Sequence, residues 1–253
     1  MWLSVGAVCA FVLGWEAAHR LGWLNPVLLS SPTRIADEGW RLLSTGALTA
    51  DLVFTLEVFC VSVIAAVVTG MLVGFAIGYS ALAYHVMNPF IVTANSLPKI
   101  VLMPLIVLWL GIGMSANVFL ATLMASFPVI TSTYAGVKTL DRDYVLLARS
   151  FGASRGHMMR AIVLPGITPY VLSGLRVGIS YAMVGALIAE FFASSKGVGY
   201  RMVLFMSNFQ VDAFFVCMTM VAVFTLACTS LVHWLERRVD AWRPSAFRSA
   251  RGL

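Results

Sequence analysis

Long uninterrupted apolar runs dominate the chain and set its fold class. Two examples are residues 58–79 and 216–234. A transmembrane helix needs about 20 predominantly apolar residues, whereas the strands of a transmembrane barrel alternate between polar and apolar positions. Inside lipid only helices and closed barrels satisfy their own backbone hydrogen bonds. The pattern therefore predicts an all-α integral membrane protein.

Six segments have the length and apolar character of spans. The first begins at the start of the sequence, as a signal peptide does, but it lacks a preceding basic stretch and an A-x-A site, so we expect a retained helix. The third is interrupted by prolines, which requires neighbouring helices or water to satisfy the freed carbonyls. The predicted spans are residues 2–18, 53–79, 87–111, 116–137, 167–192 and 211–235.

Composition and charge support this fold class and orient the chain. Only 11% of residues are charged, against roughly 25% in an average soluble domain. Ten of the 17 lysines and arginines lie in the loop 138–166 or after residue 236, so the positive-inside rule places both of these regions, and both termini, in the cytoplasm. The asymmetry explains the net charge of +6, and nucleic-acid binding is a poor alternative for so apolar a chain.

The segment 26–51 then lies outside the cytoplasm. Pro32 near its start, with Ile35, Trp40, Leu42 and Leu43 among charged residues, suggests a short helix at the membrane interface. A simple connecting loop is the alternative.

Motifs for catalysis, metal binding and nucleotide binding are missing from the sequence. The four cysteines fall inside apolar spans without a C-x-x-C pair, and the four histidines lack metal-ligand spacing. No G-x-x-x-x-G-K-[ST] loop is present, so any nucleotide that drives this protein must bind another chain.

Polar side chains within the predicted spans are candidates for a solute pathway, because charge in lipid is expensive and tends to be functional. Lys99 follows a proline and precedes a long apolar run, and with Asn95 and Ser96 it is expected to line a polar cavity. Arg176 and Glu190 have an equally good alternative: Arg176 can extend toward the cytoplasmic side and Glu190 toward the water outside.

Glycines recur at helical spacing in two predicted spans. Such rows let helix backbones approach closely. Packing inside the bundle is the favoured interpretation, and packing against a second copy is the alternative. The two rows are Gly70, Gly74 and Gly78, and Gly174, Gly178 and Gly185.

The loop at 141–165 carries the most informative pattern. Asp141 or Asp143 is suited to cap a helix whose apolar face holds Tyr144, Leu147, Ala148 and Phe151. Gly152 suits the left-handed residue that ends a helix. Ser154 is suited to cap a second short helix that Pro165 stops or bends. The sequence thus predicts two helices joined at a glycine, with an apolar stripe that covers either the membrane interface or a groove on a soluble partner.

This loop resembles the "EAA" loop of bacterial ABC-importer permeases. That pattern is E-A-A, three residues, G, nine residues and I-x-L-P, and Gly152, Ile162, Leu164 and Pro165 fit it. Residues 97–113, 127–130, 189–190 and 195–200 are similar to the nitrate/taurine/aliphatic-sulfonate (NitT/TauT) group, so the resemblance spans roughly residues 50–240. The triplet reads Leu146-Leu147-Ala148 here, without the family's glutamate.

The resemblance implies a type I importer permease fold (MetI-like), without enzymatic activity or cofactor of its own. Its partners would be two ATPase subunits that bind ATP and Mg, a second permease copy, an extracytoplasmic binding protein and the bilayer of the inner membrane. Residues 1–51 would form an N-terminal helix and interfacial segment, 52–236 the core, and 237–253 a basic cytoplasmic tail. The coupling residues would be Tyr144, Leu147, Ala148, Arg149, Phe151, Gly152, Ala153 and Arg155.

Among these coupling residues, Phe151 would be the apolar anchor in the ATPase groove and Gly152 the hinge. Arg149 and Arg155 would guide the ATPase electrostatically. The resemblance favours a small anion as solute, with a heterocyclic vitamin or its precursor as the alternative. An ion-coupled secondary transporter is a weaker alternative, because Glu57 and Glu190 lie near span ends. A membrane-embedded enzyme would need a clustered catalytic constellation, and the sequence shows none.

Overall fold

A computed structural model describes residues 2–140 and 147–241, and its regular structure is helical. Within these ranges no strand occurs. A 3₁₀ turn, Lys99–Leu102, precedes α5. The helices are α1 Trp2–Arg20, α2 Pro32–Ser44, α3 Thr49–Tyr79, α4 Ala81–Ser96, α5 Met103–Leu110, α6 Met114–Lys138, α7 Arg155–Ala193, α8 Val198–Ser207 and α9 Val211–Ala241.

Four of these helices, α3, α6, α7 and α9, are long and apolar enough to cross a membrane. They match four predicted spans, with α7 beginning 12 residues earlier than the predicted 167. The predicted third span is instead two helices, α4 and α5, bent by 91° at a short break. Pro98 lies at that break and Pro104 in the first turn of α5, where a missing N–H costs nothing. The pair makes a fifth candidate span, either broken or re-entrant. The predicted first span is helical as α1, and its crossing of the membrane stays a prediction.

Helix α6 is the centre of the bundle, and glycines on both neighbours let it pack closely. On α3, a Cβ added at Gly70 or Gly78 would lie 2.6 Å from the Cβ of Val129 or Val137 on α6. On α7, a Cβ at Gly185 would lie 2.7 Å from the Cα of Ala121. Both glycine rows therefore face α6 in the same chain, which confirms packing within the bundle.

One end of the bundle, here called the elbow end, carries residues 139–140 and 147–154. The opposite end, called the far end, carries the connections before α3, α6, α8 and α9. There α2 and α8 lie against α9, with Leu42, Val198 and Cys217 among the buried contacts. Asp212 at the start of α9 accepts from the Arg34 guanidinium at 2.6 Å and so fixes the beginning of α2.

The segment 26–51 contains a separate helix, α2, and is not a simple loop. Ser31 caps α2 by accepting from the backbone N–H of Arg34, and Pro32 occupies the first position, where its fixed φ suits a helix. Leu42 is buried, whereas Trp40 and Leu43 are exposed. The amphipathic helix is confirmed, and its location at the membrane interface stays a prediction.

Pro165 was expected to stop or to bend the helix that begins after Ser154. It does not stop this helix, which corrects the first of these two expectations. The helix runs on as α7 to Ala193. A π-helical turn, Met159–Val163, ends two residues before the proline. Such a turn shifts the hydrogen-bond register, which accommodates a residue without a backbone donor.

Candidate functional site

The elbow, residues 147–155, turns the chain sharply between two helical segments. Residues 147–150 are helical. The backbone N–H of Ala153 donates to the carbonyl of Ala148 at 3.0 Å, and that of Gly152 donates to Arg149 at 2.9 Å. This pair of bonds defines a Schellman motif, whose left-handed position glycine usually fills. Gly152 holds that position with φ of 76°, as predicted.

The second half of the elbow begins α7. Ser154 is its N-cap and accepts from the backbone N–H of His157 at 3.3 Å, which confirms the predicted cap. Phe151 is 83% exposed and Leu147 is 56% exposed, with Arg149 and Arg155 exposed beside them. The elbow thus presents an apolar and cationic surface. The predicted contributor Tyr144, with Leu146, lies outside the described residues.

Lys99 lies where α4 ends and the chain bends. Its ammonium is 4.5 Å from the centre of the Phe127 ring, and it donates to the carbonyl of Asn95 at 3.2 Å. No carboxylate pairs with it within the described ranges. Asn95 and Ser96 are exposed on the same stretch. Phe127 lies 13 residues into α6, about 20 Å along the helix, so an unpaired cation sits at mid-span depth.

Arg176 pairs with α9 rather than standing free. Its guanidinium is 3.4 Å from the Glu236 carboxylate and 3.0 Å from Nδ1 of His233. Its side chain is 40% exposed. The arginine therefore ties α7 to α9 toward the elbow end, an arrangement that sequence reasoning did not predict because the partners lie 57 and 60 residues away.

Glu190 does not reach external water, which corrects that expectation. Its residue exposure is 0%. Its carboxylate accepts from the Thr55 hydroxyl at 2.8 Å and from the backbone N–H of Gly199 at 2.7 Å. The side chain lies inside the far end, between α3, α7 and α8.

Around Glu190 lies a group that we call the α8 cap: the side chains of Asp51, Thr55 and Glu190. Three consecutive backbone N–H groups at the start of α8 donate to it. Gly197 donates to Asp51 at 2.8 Å, Val198 donates to Thr55 at 2.9 Å, and Gly199 donates to Glu190. Since α8 has no side-chain cap of its own, α3 and α7 satisfy three of the four backbone donors that a helix start leaves free.

Glycine is required at two positions of this arrangement. A Cβ at Gly197 would lie 2.5 Å from the carboxylate carbon of Glu190, and one at Gly199 would lie 2.8 Å from the Glu190 Cβ. Gly197 also has φ of 107°, which disfavours any other residue. The sequence shows Asp51 and Thr55 at i, i+4 spacing and a G-V-G triplet at residues 197–199. It does not show that these two features meet in the folded chain.

A metal site has no support in the described part of the chain, where no three histidine, cysteine or carboxylate groups cluster. The site consists instead of an exposed elbow, a bent span with an unpaired cation, and a buried polar cap. On a bundle of membrane-length helices, these features are those of a membrane transport protein.

The particular family is clear from the sequence match. Residues 66–241 match the family of binding-protein-dependent transport system inner membrane components, and the chain belongs to that family. It is a permease subunit of the inner membrane that works with an ATPase and a binding protein. The ATPase activity lies in a separate subunit.

Similar proteins agree with this placement over nearly the whole chain. The taurine transport system permease protein TauC of Escherichia coli is 27% identical, over 95% of this chain and 89% of its own length. The putative aliphatic sulfonates transport permease protein SsuC of the same species is 28% identical, over 96% and 91%. The riboflavin transport system permease protein RibX of Chloroflexus aurantiacus is 26% identical, over 91% and 86%.

The fold also matches a solved transporter. An inward-facing conformation of the MetNI methionine ABC transporter has a chain that superposes with a TM-score of 0.63 at 17% identity, covering 78% of this chain and 96% of that one. The similarity confirms the MetI-like fold.

Proposed function

We propose that the elbow is the coupling element of an ATP-driven importer. Its exposed Phe151 and Leu147 give a soluble partner an apolar anchor, and Arg149 and Arg155 supply positive charge beside it. The Schellman turn at Gly152 fixes the angle between the two helical segments. This turn is the observation that carries the proposal, since a fixed elbow transmits a push from the ATPase into α7.

In the proposed complex two permease copies each bind one ATPase subunit, and the ATPases hold ATP and Mg. The elbow end faces the cytoplasm together with both termini, as the distribution of positive charge favours. The far end receives the extracytoplasmic binding protein. Closure of the ATPases draws the two elbows together and rocks the bundles as rigid bodies, which alternates access to the pathway.

The proposed solute is a small anion of the sulfonate or taurine kind. Two of the relatives are named for such solutes. Lys99 lies at mid-span depth and has no carboxylate partner in the described part of the chain, and Asn95 and Ser96 are exposed beside it. This arrangement supports a pathway that favours negative charge. Arg176 and Glu190 contribute less directly, because each is engaged in contacts between helices. A heterocyclic vitamin, as the name of RibX suggests, is the second candidate, and competition for uptake between taurine and riboflavin separates the two.

Substitution of Gly152 by valine tests the coupling role. A β-branched residue at positive φ costs about 1–3 kcal/mol, so the elbow should leave its native angle, and proteoliposomes should hydrolyse ATP without solute uptake. Gly156→Val is the matched control, since neither glycine has an atom within 4 Å of an added Cβ but only Gly152 has positive φ. If the Gly152→Val protein takes up solute as fast as the Gly156→Val protein, the elbow is not the coupling element.

A further inference from the structure

The start of α8 is held by side chains from two transport helices. Asp51 and Thr55 come from α3, and Glu190 comes from α7. All three are at most 5% exposed, and their bonds to the backbone of α8 measure 2.7–2.9 Å. Few helices begin in this way, because a cap normally belongs to the residue just before the helix.

The cap is also internally connected. The Thr55 hydroxyl accepts from Val198 and donates to Glu190, so it links the backbone of α8 to α7. Asp51 accepts from the Arg201 guanidinium at 2.5 Å, one turn into α8. Anionic groups at a helix N-terminus are further stabilised by the helix dipole. The tips of α3 and α7 therefore fix both the position and the direction of α8.

The rest of α8 is on the surface of the far end. Val203 and Met206 are 39% and 49% exposed, and Phe209, just after the helix, is 74% exposed. Val198 and Met202 are instead buried against α2 and α9. A movement of α3 or α7 must therefore reposition an exposed apolar face, unless the cap breaks.

We propose that the α8 cap is a mechanical relay between the transport helices and the far surface. Thr55, Asp51 and Glu190 act as positioning residues: they keep α8 in one rigid unit with the tips of α3 and α7. This inference rests on the proposed function, in which the binding protein docks at the far end. The orientation of α8 then changes with the conformation of the bundle, so the affinity of the docked partner depends on that conformation. Docking on α8 in turn acts on α3 and α7 through the same contacts.

Thr55→Val tests the relay, because valine keeps the shape of threonine but neither accepts from Val198 nor donates to Glu190. In reconstituted complex we expect the concentration of binding protein that half-saturates ATPase stimulation to rise roughly tenfold, since a loosened α8 is docking-competent only a fraction of the time. The maximal stimulated rate should fall as well, because docking then reaches α3 and α7 through fewer of these contacts. Thr55→Ser keeps the hydroxyl and should restore the wild-type value.

Glu57→Gln is the matched control on the same helix, because Glu57 is exposed and its side chain makes no ion pair within the described ranges. A Thr55→Val protein whose melting temperature falls while half-saturation is unchanged would overturn the relay and leave the importer assignment intact. A wild-type complex that the binding protein does not stimulate at all would overturn the proposed function itself.

A measurement on the wild-type complex needs no variant. The amides of Gly197, Val198 and Gly199 should remain protected from hydrogen–deuterium exchange both with and without ATP, because the relay moves as one body. Rapid exchange of these amides in either state would show that the cap opens during the cycle, and would overturn the proposal.

Discussion

Replacing Gly74 with alanine perturbs a very close contact between two transport helices, α3 and α6. An added Cβ would lie 2.6 Å from the backbone carbonyl oxygen of Ile130 and 2.7 Å from the Cβ of Thr133. Real Cβ atoms essentially never lie closer than 3.0 Å to another heavy atom, and ordinary van der Waals contact begins at 3.4 Å. The backbones of α3 and α6 must therefore move apart by a few tenths of an ångström or more at this point. A carbonyl within a helix cannot turn aside as a flexible side chain can.

The loss of stability depends on how many positions along the two helices are in close contact. Gly70 and Gly78 lie one turn to either side and pack equally closely on α6, so separation at Gly74 loosens all three positions. Overpacking of this kind costs about 1–3 kcal/mol. At roughly 2–4 °C for each kcal/mol in a chain of this size, the melting temperature of the purified permease should fall by about 2–12 °C.

Gly14→Ala on α1 is the control, since nothing lies within 4 Å of its added Cβ. Its melting temperature should be unchanged or higher, because alanine favours a helix by up to about 1 kcal/mol over glycine. Thermal unfolding of both variants in detergent, followed by intrinsic tryptophan fluorescence, makes the comparison. Equal melting temperatures would mean that the glycine row does not set the distance between α3 and α6.

Two further predictions concern single residues. Phe209 occupies the left-handed position after α8 with φ of 55° and is 74% exposed, so Phe209→Gly should raise stability by about 1 kcal/mol; Phe209→Ala should not, and an equal gain from both would contradict backbone strain as the cause. Lys99→Gln should lower uptake of an anionic solute roughly tenfold, the effect of about 1.4 kcal/mol, while Lys99→Arg retains most of it. Uptake that is indifferent to the charge at this position would remove Lys99 from the pathway.

Much of the fold and of the elbow could be predicted from local sequence. Apolar runs gave the membrane helices because a spanning segment must satisfy its own backbone, whatever its neighbours are. Ser154 predicted a helix cap and Gly152 a left-handed turn. Both structures depend only on residues a few positions apart, so the local sequence is enough to predict them. The glycine rows indicated close helix packing for the same local reason.

Other features were decided only by the tertiary structure. Proline positions showed that the third span is interrupted but not that it bends by 91°, since the direction of a break depends on what the flanking helices pack against. Pro165 was expected to stop or bend its helix, and the helix continues past it after a π-helical turn.

The partners of the polar side chains were likewise hidden in the sequence. Glu190 meets Thr55 across 135 residues and Gly197 meets Asp51 across 146, and Arg176 meets Glu236 on another helix. A sequence shows that a charge lies in an apolar segment and must be compensated. Only the folded bundle decides which distant group compensates it, because hydrogen bonds and ion pairs act over a few ångströms in space, at any separation along the chain.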